Sequence, residues 1–234
     1  MLTKLNVGTS VLSQYLDFSE VNWEKMQEAT IETISMTIGS VVIIFFAGLL
    51  LGLLLYETNG KNTLAAKILY RVVAIFVNVF RSIPFIILIV LLIPITKTLV
   101  GRITGPSAAL PALIIASAPF FARLVEIGFR EIDKGVVEAA EAMGASKWQI
   151  IYKVLIPESL PAIVSGITVT TISLVGYTAM AGVIGAGGLG NLAYLDGFQR
   201  NQTTVTLVAT LIILIIVFII QAVGDLIVKK VDKR

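Results

Sequence analysis

Residues 204–228 read TVTLVATLIILIIVFIIQAVGDLIV, and apolar side chains dominate this stretch. A helix needs about 20 consecutive, mostly apolar residues to cross the roughly 30 Å hydrocarbon core of a bilayer. Lipid offers no hydrogen-bond partners, so the backbone of such a segment must bond within itself. The stretch therefore predicts a transmembrane helix.

Four further apolar segments of similar length lie upstream, at residues 31–56, 72–95, 107–129 and 160–184. Hydrophobic residues make up 56% of the 234-residue chain and charged residues 14%. Soluble domains are usually about 45–50% apolar and about 25% charged, so one small globular core could not bury this excess. We predict an all-α membrane protein in which residues 31–228 form a domain of five transmembrane helices.

The segment before the first predicted span, residues 1–30, has a different character. Two sets of residues recur there at helical spacing: the uncharged Trp23, Met26, Thr30 and Ile34, and the acidic Glu20, Glu24, Glu28 and Glu32. Amphipathic helices of this kind lie at membrane interfaces. We predict an extracytoplasmic or interfacial segment that leads into the first span.

The distribution of Lys and Arg predicts the orientation of the chain in the membrane. With five spans, the connections and tail on one side carry Lys61, Lys67, Arg71, Arg130, Lys134, Lys147, Lys153, Lys229, Lys230, Lys233 and Arg234. Arg123 lies just before the connection between the third and fourth spans. The other side carries Lys4, Lys25, Lys97, Arg102 and Arg200. Cytoplasmic connections carry the excess of basic residues. We therefore predict an outer N-terminus and a basic cytoplasmic tail at residues 229–234.

The connection between the third and fourth predicted spans, residues 135–157, has its own helical signals. Residues 135–143 are rich in Ala and Glu, which favour a helix, and Gly144 can take the left-handed conformation that ends one. Residues 146–149, SKWQ, match a capping box that starts a second helix. Pro157 and Pro161 are expected to break the chain again before the fourth span. The pattern predicts two short helices with a sharp bend, suited either to docking a cytoplasmic partner or to packing at the interface.

The sequence contains no Cys and no His. Disulfides, thiol nucleophiles and imidazole acid–base chemistry are thereby excluded. No G-x-x-x-x-G-K-[ST] phosphate loop occurs, which predicts that this chain does not bind ATP. Residues 185–190, GAGGLG, satisfy G-x-G-x-x-G, but a hydrophobic span precedes them where a dinucleotide site needs a strand. A flexible turn or short re-entrant element on the outer side is the favoured interpretation.

Small and polar side chains form a stripe along the fourth predicted span: Gly166, Thr170, Ser173, Tyr177, Met180 and Ile184. Such a stripe either permits close helix packing or lines an aqueous path.

Charged residues also occur within the second and third predicted spans. Arg81 must face protein or water because a charge in lipid is costly, so it is either near a translocation path or a structural anchor. Pro84 is expected to bend or interrupt its helix. Arg123 and Glu126 are three residues apart and share a helix face. A structural ion pair between helices is favoured for them over a role in the path.

Residues 138–157 resemble the signature loop of ABC-importer permeases. The pattern is Glu138-Ala139-Ala140, three residues, Gly144, and then two apolar residues before Pro157, with Val154 and Ile156 where Ile and Leu are commonest. Four further segments resemble the methionine-uptake branch of that family: NVFRSIPFIILIVLLIPIT at 78–96, APFFARLVE at 118–126, VGYTAMAGVIGAGGLG at 175–190 and QAVGDLIVKKV at 221–231. The similarity extends from about residue 32 to the C-terminus.

This resemblance implies a type I importer permease that works as a homodimer in the cell membrane of a prokaryote. Two cytoplasmic ATPase subunits would drive it, and an extracytoplasmic binding protein would deliver methionine. ATP and Mg would bind the ATPase subunits, so this chain would hold no metal and no cofactor and would not be an enzyme.

The resemblance also implies roles for particular residues. In that family the loop is a coupling helix seated in a groove of the ATPase, which assigns coupling to Glu138, Ala139, Ala140, Gly144, Lys147 and Pro157. The fourth span lines the dimer axis there, and the candidate path and gate residues are Arg81, Ser82, Pro84, Thr170, Ser173, Tyr177 and Met180.

Alternatives to methionine import differ in substrate or in class. A polar amino acid or a quaternary amine is the main alternative substrate, and D-methionine and methionine derivatives are further candidates. A secondary transporter would need acidic residues at the midplane or broken helices, and no Asp or Glu lies centrally in a predicted span. A membrane enzyme would need converging catalytic groups, and a scaffold would leave the bent loop unexplained.

Overall fold

The computed structural model describes Tyr15 and residues 17–232, which are almost entirely helical. The predictions for residues 1–14, including Lys4, and for Lys233 and Arg234 lie outside the described residues. After a short 3₁₀ turn at Phe18–Glu20, the helices are α1 Trp23–Thr58, α2 Leu64–Ser82, α3 Phe85–Leu91, α4 Ile93–Val100, α5 Pro106–Arg130, α6 Lys134–Ala142, α7 Lys147–Ile150, α8 Ile156–Ala181, α9 Gly188–Leu192 and α10 Thr203–Val231.

The first helix, α1, is one uninterrupted helix of 36 residues. At 1.5 Å per residue it is about 54 Å long, well beyond the thickness of a hydrocarbon core. Asn22 precedes it, and its side-chain oxygen accepts a hydrogen bond from the Lys25 backbone N–H at 3.1 Å. The predicted segment therefore continues into the first span without a break, because no Gly or Pro between Trp23 and Ile31 interrupts the backbone bonding.

The second predicted span is broken at Pro84. Helix α2 ends at Ser82, Ile83 is extended, and α3 begins at Phe85. Proline has no N–H to donate and disfavours a helical conformation in the residue before it. Helix α2 starts earlier than predicted, and α4 continues to Gly101, whose left-handed φ of 79° ends that helix. The predicted interruption at Pro84 is confirmed.

The remaining spans agree with the sequence patterns. Helices α5 and α10 match the predictions at 107–129 and 204–228 within a few residues. Within the described residues four helices are long and apolar enough to cross a membrane, or five when the sharply bent pair α2–α3 counts as one span. The predicted number of five spans agrees with this count when the bent pair is taken as one span.

The approach to the fourth span differs from the prediction. Helix α7 runs through a wide helical turn, Ile151–Leu155, directly into α8, so Pro157 and Pro161 do not break the chain. In the wide turn the Ile156 N–H bonds five residues back, to the Ile151 carbonyl. This shifted bonding passes Pro157 without needing its missing N–H. Pro161 is then tolerated inside α8.

The chain divides into two compact units that share its long helices. Among the described residues, the first comprises Tyr15 and residues 17–40, 85–113 and 173–219, and the second comprises residues 41–84, 114–172 and 220–232. In the first unit a buried cluster joins the start of α1 to α9 and α10, and includes Met26, Leu189 and Val208. In the second unit the end of α1 packs on α2 through Leu55, Val73 and Val77.

Candidate functional site

The residue 133–157 loop forms two capped helices with a bend between them. The Asp133 side chain accepts from the Gly135 N–H at 2.8 Å and starts α6. At its end Gly144 has φ 80°. The Ala145 N–H bonds the Ala140 carbonyl at 3.1 Å, and the Gly144 N–H bonds the Glu141 carbonyl at 2.9 Å. These two bonds are those of a Schellman motif, so the predicted stop at Gly144 is confirmed.

The second helix of the loop begins with the predicted capping box. The Ser146 N–H donates to Gln149 Oε1 at 2.7 Å, and the Gln149 N–H donates to Ser146 Oγ at 3.4 Å. These reciprocal bonds satisfy two backbone donors that a helix start leaves open. The direction of the bend is therefore set by local hydrogen bonds.

The bend exposes large apolar side chains. Met143 is 82% exposed and Trp148 is 73% exposed, whereas Ala140 and Ile150 are buried within the loop. Exposed apolar groups rimmed by polar ones mark interaction surfaces. Among the candidate coupling residues, Ala140 is buried; the exposed ones are Glu138, Ala139, Gly144, Lys147 and Pro157.

A buried carboxylate lies just before this loop. The Glu126 side chain is 1% exposed, and its two oxygens accept from Arg123 and Arg130, the last residue of α5. Three residues of one helix make this cluster, so the predicted pairing of Arg123 with Glu126 is confirmed, but it does not join two helices. Arg130 was missed, although its i+4 spacing from Glu126 was readable in the sequence.

A cleft of about 590 Å³ opens between the end of α1 and the loop. Its floor is apolar, and its polar lining residues are Tyr56, Glu57, Asn59, Lys61, Arg130, Lys134, Glu141 and Lys147. Lys61 pairs with Glu57 at 2.8 Å. The cleft places charged groups beside the exposed bend, where a partner surface could meet both.

The glycine-rich turn joins α8 to α9. Its backbone leaves helical geometry at Ile184 and Gly185, and Gly185, Gly187 and Gly188 all have positive φ. The Gly188 N–H donates to Glu32 Oε2 at 2.7 Å, and the Leu189 N–H donates to Thr33 Oγ1 at 2.9 Å. A helix precedes the turn and its amides bind the chain's own side chains, which agrees with the rejection of a dinucleotide site. The sequence reasoning placed Glu32 on a charged helix face and missed this contact.

The stripe on α8 divides into packed and accessible positions. Thr170 is fully buried and its hydroxyl donates to the Gly166 carbonyl at 2.7 Å, which favours close packing for that part of the stripe. The Tyr177 ring stacks on Phe85 at 4.7 Å between centroids. Ser173 is half-buried, and Met180 is 46% exposed. Of the candidate gate residues, Met180 is the most accessible.

The candidate path residues of the second span lie at the break. The exposed Arg81 lies in the last turn of α2, with its guanidinium carbon 5.8 Å from the centroid of the Phe120 ring. A cation over an aromatic face is attracted by the ring's charge distribution. Ser82 donates to the Asn78 carbonyl at 2.8 Å. The contact of Arg81 with Phe120 agrees with a role as a structural anchor, and the exposure of Arg81 agrees equally with a position near a translocation path.

The long apolar helices indicate a membrane protein, and the capped bend with its exposed apolar groups indicates a surface for a partner. The chain belongs to the family of binding-protein-dependent transport system inner membrane components, whose model matches residues 45–234. The family role is that of a membrane component of a transport system, as predicted, and not of an enzyme.

Individual relatives indicate which branch of the family this chain resembles. The chain is 59% identical over 217 residues to the methionine import system permease protein MetP of Bacillus subtilis (strain 168), covering 93% of this chain and 98% of that protein. It is 50% identical over 151 residues to the D-methionine transport system permease protein MetI of Escherichia coli (strain K12), covering 64% and 70% respectively. A solved inward-facing structure of the MetNI methionine ABC transporter contains a chain with TM-score 0.86 and 45% identity, covering 89% of this chain and 96% of that chain. The predicted membership of the methionine branch is confirmed by these relatives.

Proposed function

We propose that this chain is the permease subunit of an ATP-driven importer of methionine. The observation that carries the proposal is the 59% identity to a methionine import permease across 93% of this chain. The exposed bend at Met143 and Trp148 supplies a docking surface that such a subunit needs. D-methionine is a second candidate substrate, because the Escherichia coli relative is named for it.

The proposed assembly contains two copies of this chain, two ATPase subunits and an extracytoplasmic methionine-binding protein. ATP and Mg would bind the ATPase subunits and not this chain. The excess of Lys and Arg on one side supports an outer N-terminus and a cytoplasmic C-terminus. Closure of the ATPase subunits on ATP moves the loop at residues 135–157, and the two permease copies rock to open the path outward. Hydrolysis returns the assembly to the inward-facing state by a two-state motion of packed elements.

The test is ATP-dependent uptake of labelled L-methionine by vesicles that contain this chain, its ATPase and its binding protein. We expect uptake that excess unlabelled methionine abolishes. Gly144→Pro is expected to abolish it as well, because proline cannot adopt the φ of 80° at that position. The matched control is Gly60→Pro, which places the same strain at a φ of 75° outside the loop.

The outcomes separate class from substrate. ATP hydrolysis that responds to the binding protein without methionine uptake would keep the importer class and redirect the search to polar amino acids or quaternary amines. Failure to assemble with any ATPase would contradict the importer proposal. Equal loss in the two proline variants would remove the special role of the loop.

Tyr177 and Met180 are the proposed gate residues. Tyr177→Ala removes a ring stack worth about 0.5–1.5 kcal/mol, and Met180→Ala removes an accessible side chain on the same helix. We expect either variant to import less methionine per ATP hydrolysed, measured in the same vesicles. Phe218→Ala, an exposed aromatic on α10, is the control. Wild-type uptake and wild-type substrate-free ATP hydrolysis in both variants would contradict the assignment.

A further inference from the structure

The first helix holds the glycine-rich turn through two neighbouring side chains, Glu32 and Thr33. They accept hydrogen bonds from consecutive backbone amides, those of Gly188 and Leu189, at 2.7 and 2.9 Å. Thr33 is 2% exposed, and its hydroxyl also donates to the Ala29 carbonyl at 2.9 Å. The bond from Gly188 is made to a carboxylate, and bonds to ionised acceptors are stronger than neutral ones. We call Glu32 and Thr33 the clamp.

The clamp leaves no space between α1 and the turn. A Cβ placed on Gly187 would lie 2.5 Å from Glu32 Oε2, and one placed on Gly188 would lie 2.8 Å from Thr33 Oγ1. Both glycines also have positive φ, a conformation that other residues rarely adopt. Glycine is therefore favoured at both positions, chiefly by the positive φ and, at Gly188, also by the close approach of Thr33.

The same turn is packed tightly against the end of α8. A Cβ on Gly190 would lie 2.3 Å from the Ala179 backbone, and one on Gly182 would lie 2.4 Å from the Asn191 backbone nitrogen. Ala179 precedes Met180, the accessible candidate gate residue. All of these residues belong to the first compact unit. A displacement of the turn must therefore displace the backbone that carries Met180.

We propose that Glu32 and Thr33 are positioning residues for the outer gate. The inference rests on the proposed function. The clamp holds the 185–190 turn in the position that keeps Met180 across the path on the outer side. It acts through the turn and does not touch substrate. Movement of α1 during the transport cycle carries the clamp with it and so couples that helix to the gate.

The experiment uses the complete importer in vesicles loaded with labelled methionine and kept without ATP. Glu32→Ala and Thr33→Val each remove one clamp acceptor. We expect the passive leak of methionine to rise about tenfold, as the loss of one hydrogen bond shifts a two-state equilibrium by about that factor. ATP hydrolysed per methionine imported is expected to rise as well. If the contact were purely structural, its loss would lower the amount of assembled importer. The leak per assembled importer and the ATP hydrolysed per methionine imported would not change.

Matched controls lie one helical turn from each clamp residue. Glu28 is exposed and precedes Glu32 by one turn, so Glu28→Ala tests the loss of an acidic side chain from α1. Thr37 is buried, and its hydroxyl donates to the Thr33 carbonyl within the helix. Thr37→Val therefore tests the loss of a buried threonine hydroxyl. Both controls are expected to leak as the wild type does.

Amide hydrogen exchange gives a second readout on the purified importer. The Gly188 amide is expected to exchange faster in Glu32→Ala and the Leu189 amide in Thr33→Val, because each amide loses its acceptor in that variant. Glu32→Gln keeps an acceptor oxygen, so its passive leak of methionine is expected to stay close to that of the wild type. If Glu32→Ala does not assemble, Glu32→Gln and Thr33→Val decide the question, with a leak in Thr33→Val that exceeds that of Thr37→Val as the supporting result.

Normal leak and normal ATP consumption in both clamp variants, with faster exchange at the two amides, would overturn the gate role while leaving the contact real. Unchanged exchange would overturn the clamp itself. Failure of the wild type to import methionine would instead count against the proposed function, and the exchange measurement would still report on the contact.

Discussion

Replacing both Arg123 and Arg130 by leucine is expected to destabilise the protein by about 3–5 kcal/mol, because the change leaves a buried carboxylate without a compensating charge. The Glu126 side chain is 1% exposed, whereas those of its partners are 37% and 42% exposed. The two arginine side chains extend partly out of the protein interior, whereas the Glu126 carboxylate is enclosed by it. Loss of the arginines is therefore expected to be worse than loss of the carboxylate.

A third substitution tests whether the buried charge of Glu126 causes the loss of stability. Adding Glu126→Gln to the double variant removes the buried charge and is expected to restore most of the lost stability. The measurement is the thermal unfolding midpoint in detergent, with a fall on the order of 10 °C for the double variant and recovery in the triple variant. Arg71→Leu with Arg102→Leu is the control, since both arginines are exposed and neither belongs to an ion pair among the described residues. A double variant as stable as this control would contradict the dependence of Glu126 on the two arginines.

Gly190→Ala is expected to prevent the turn from seating against α8. The added Cβ would lie 2.3 Å from both the Cα and the carbonyl oxygen of Ala179. Backbone atoms cannot rotate away as a side chain can, so α8 or α9 must shift. Overpacking of this kind typically costs about 1–3 kcal/mol. We expect a lower unfolding midpoint and loss of methionine uptake in the assembled importer.

The control for Gly190→Ala is Gly39→Ala, whose Cβ would meet only the Leu110 side chain at an ordinary 3.7 Å. That substitution is expected to leave stability and uptake near the wild-type values, because alanine favours a helix over glycine. Equal behaviour of the two alanine variants would contradict the tight seating of the turn. A stable Gly190→Ala protein without uptake would confine the effect to the gate region.

Local signals were predictable because their physics is local. The Gly144 stop and the capping box at Ser146 and Gln149 depend on bonds between residues no more than five positions apart. The interruption at Pro84 likewise depends on one residue's missing donor. Each of these features was visible in the sequence and is present in the structure.

The prediction of a break at Pro157 failed because neighbouring turns of backbone can compensate for a missing donor. Pro157 was expected to break the chain, but the wide turn at Ile151–Leu155 absorbs it. Helix α1 likewise continues across the change in polarity at residue 31, because backbone hydrogen bonding does not depend on side-chain polarity. Breaker residues and polarity changes predict a weakened helix, and the adjoining turns decide whether it ends.

The sequence by itself determined the membrane-embedded class, the helical spans and the bent loop, because long apolar runs and caps act over short distances in the chain. Only the tertiary structure decided what the polar side chains of those helices do. Glu32 and Gly188 are separated by 156 residues, and no periodicity relates them. Their contact depends on the packing of α1 against the glycine-rich turn, which brings a carboxylate to backbone amides that would otherwise lack partners.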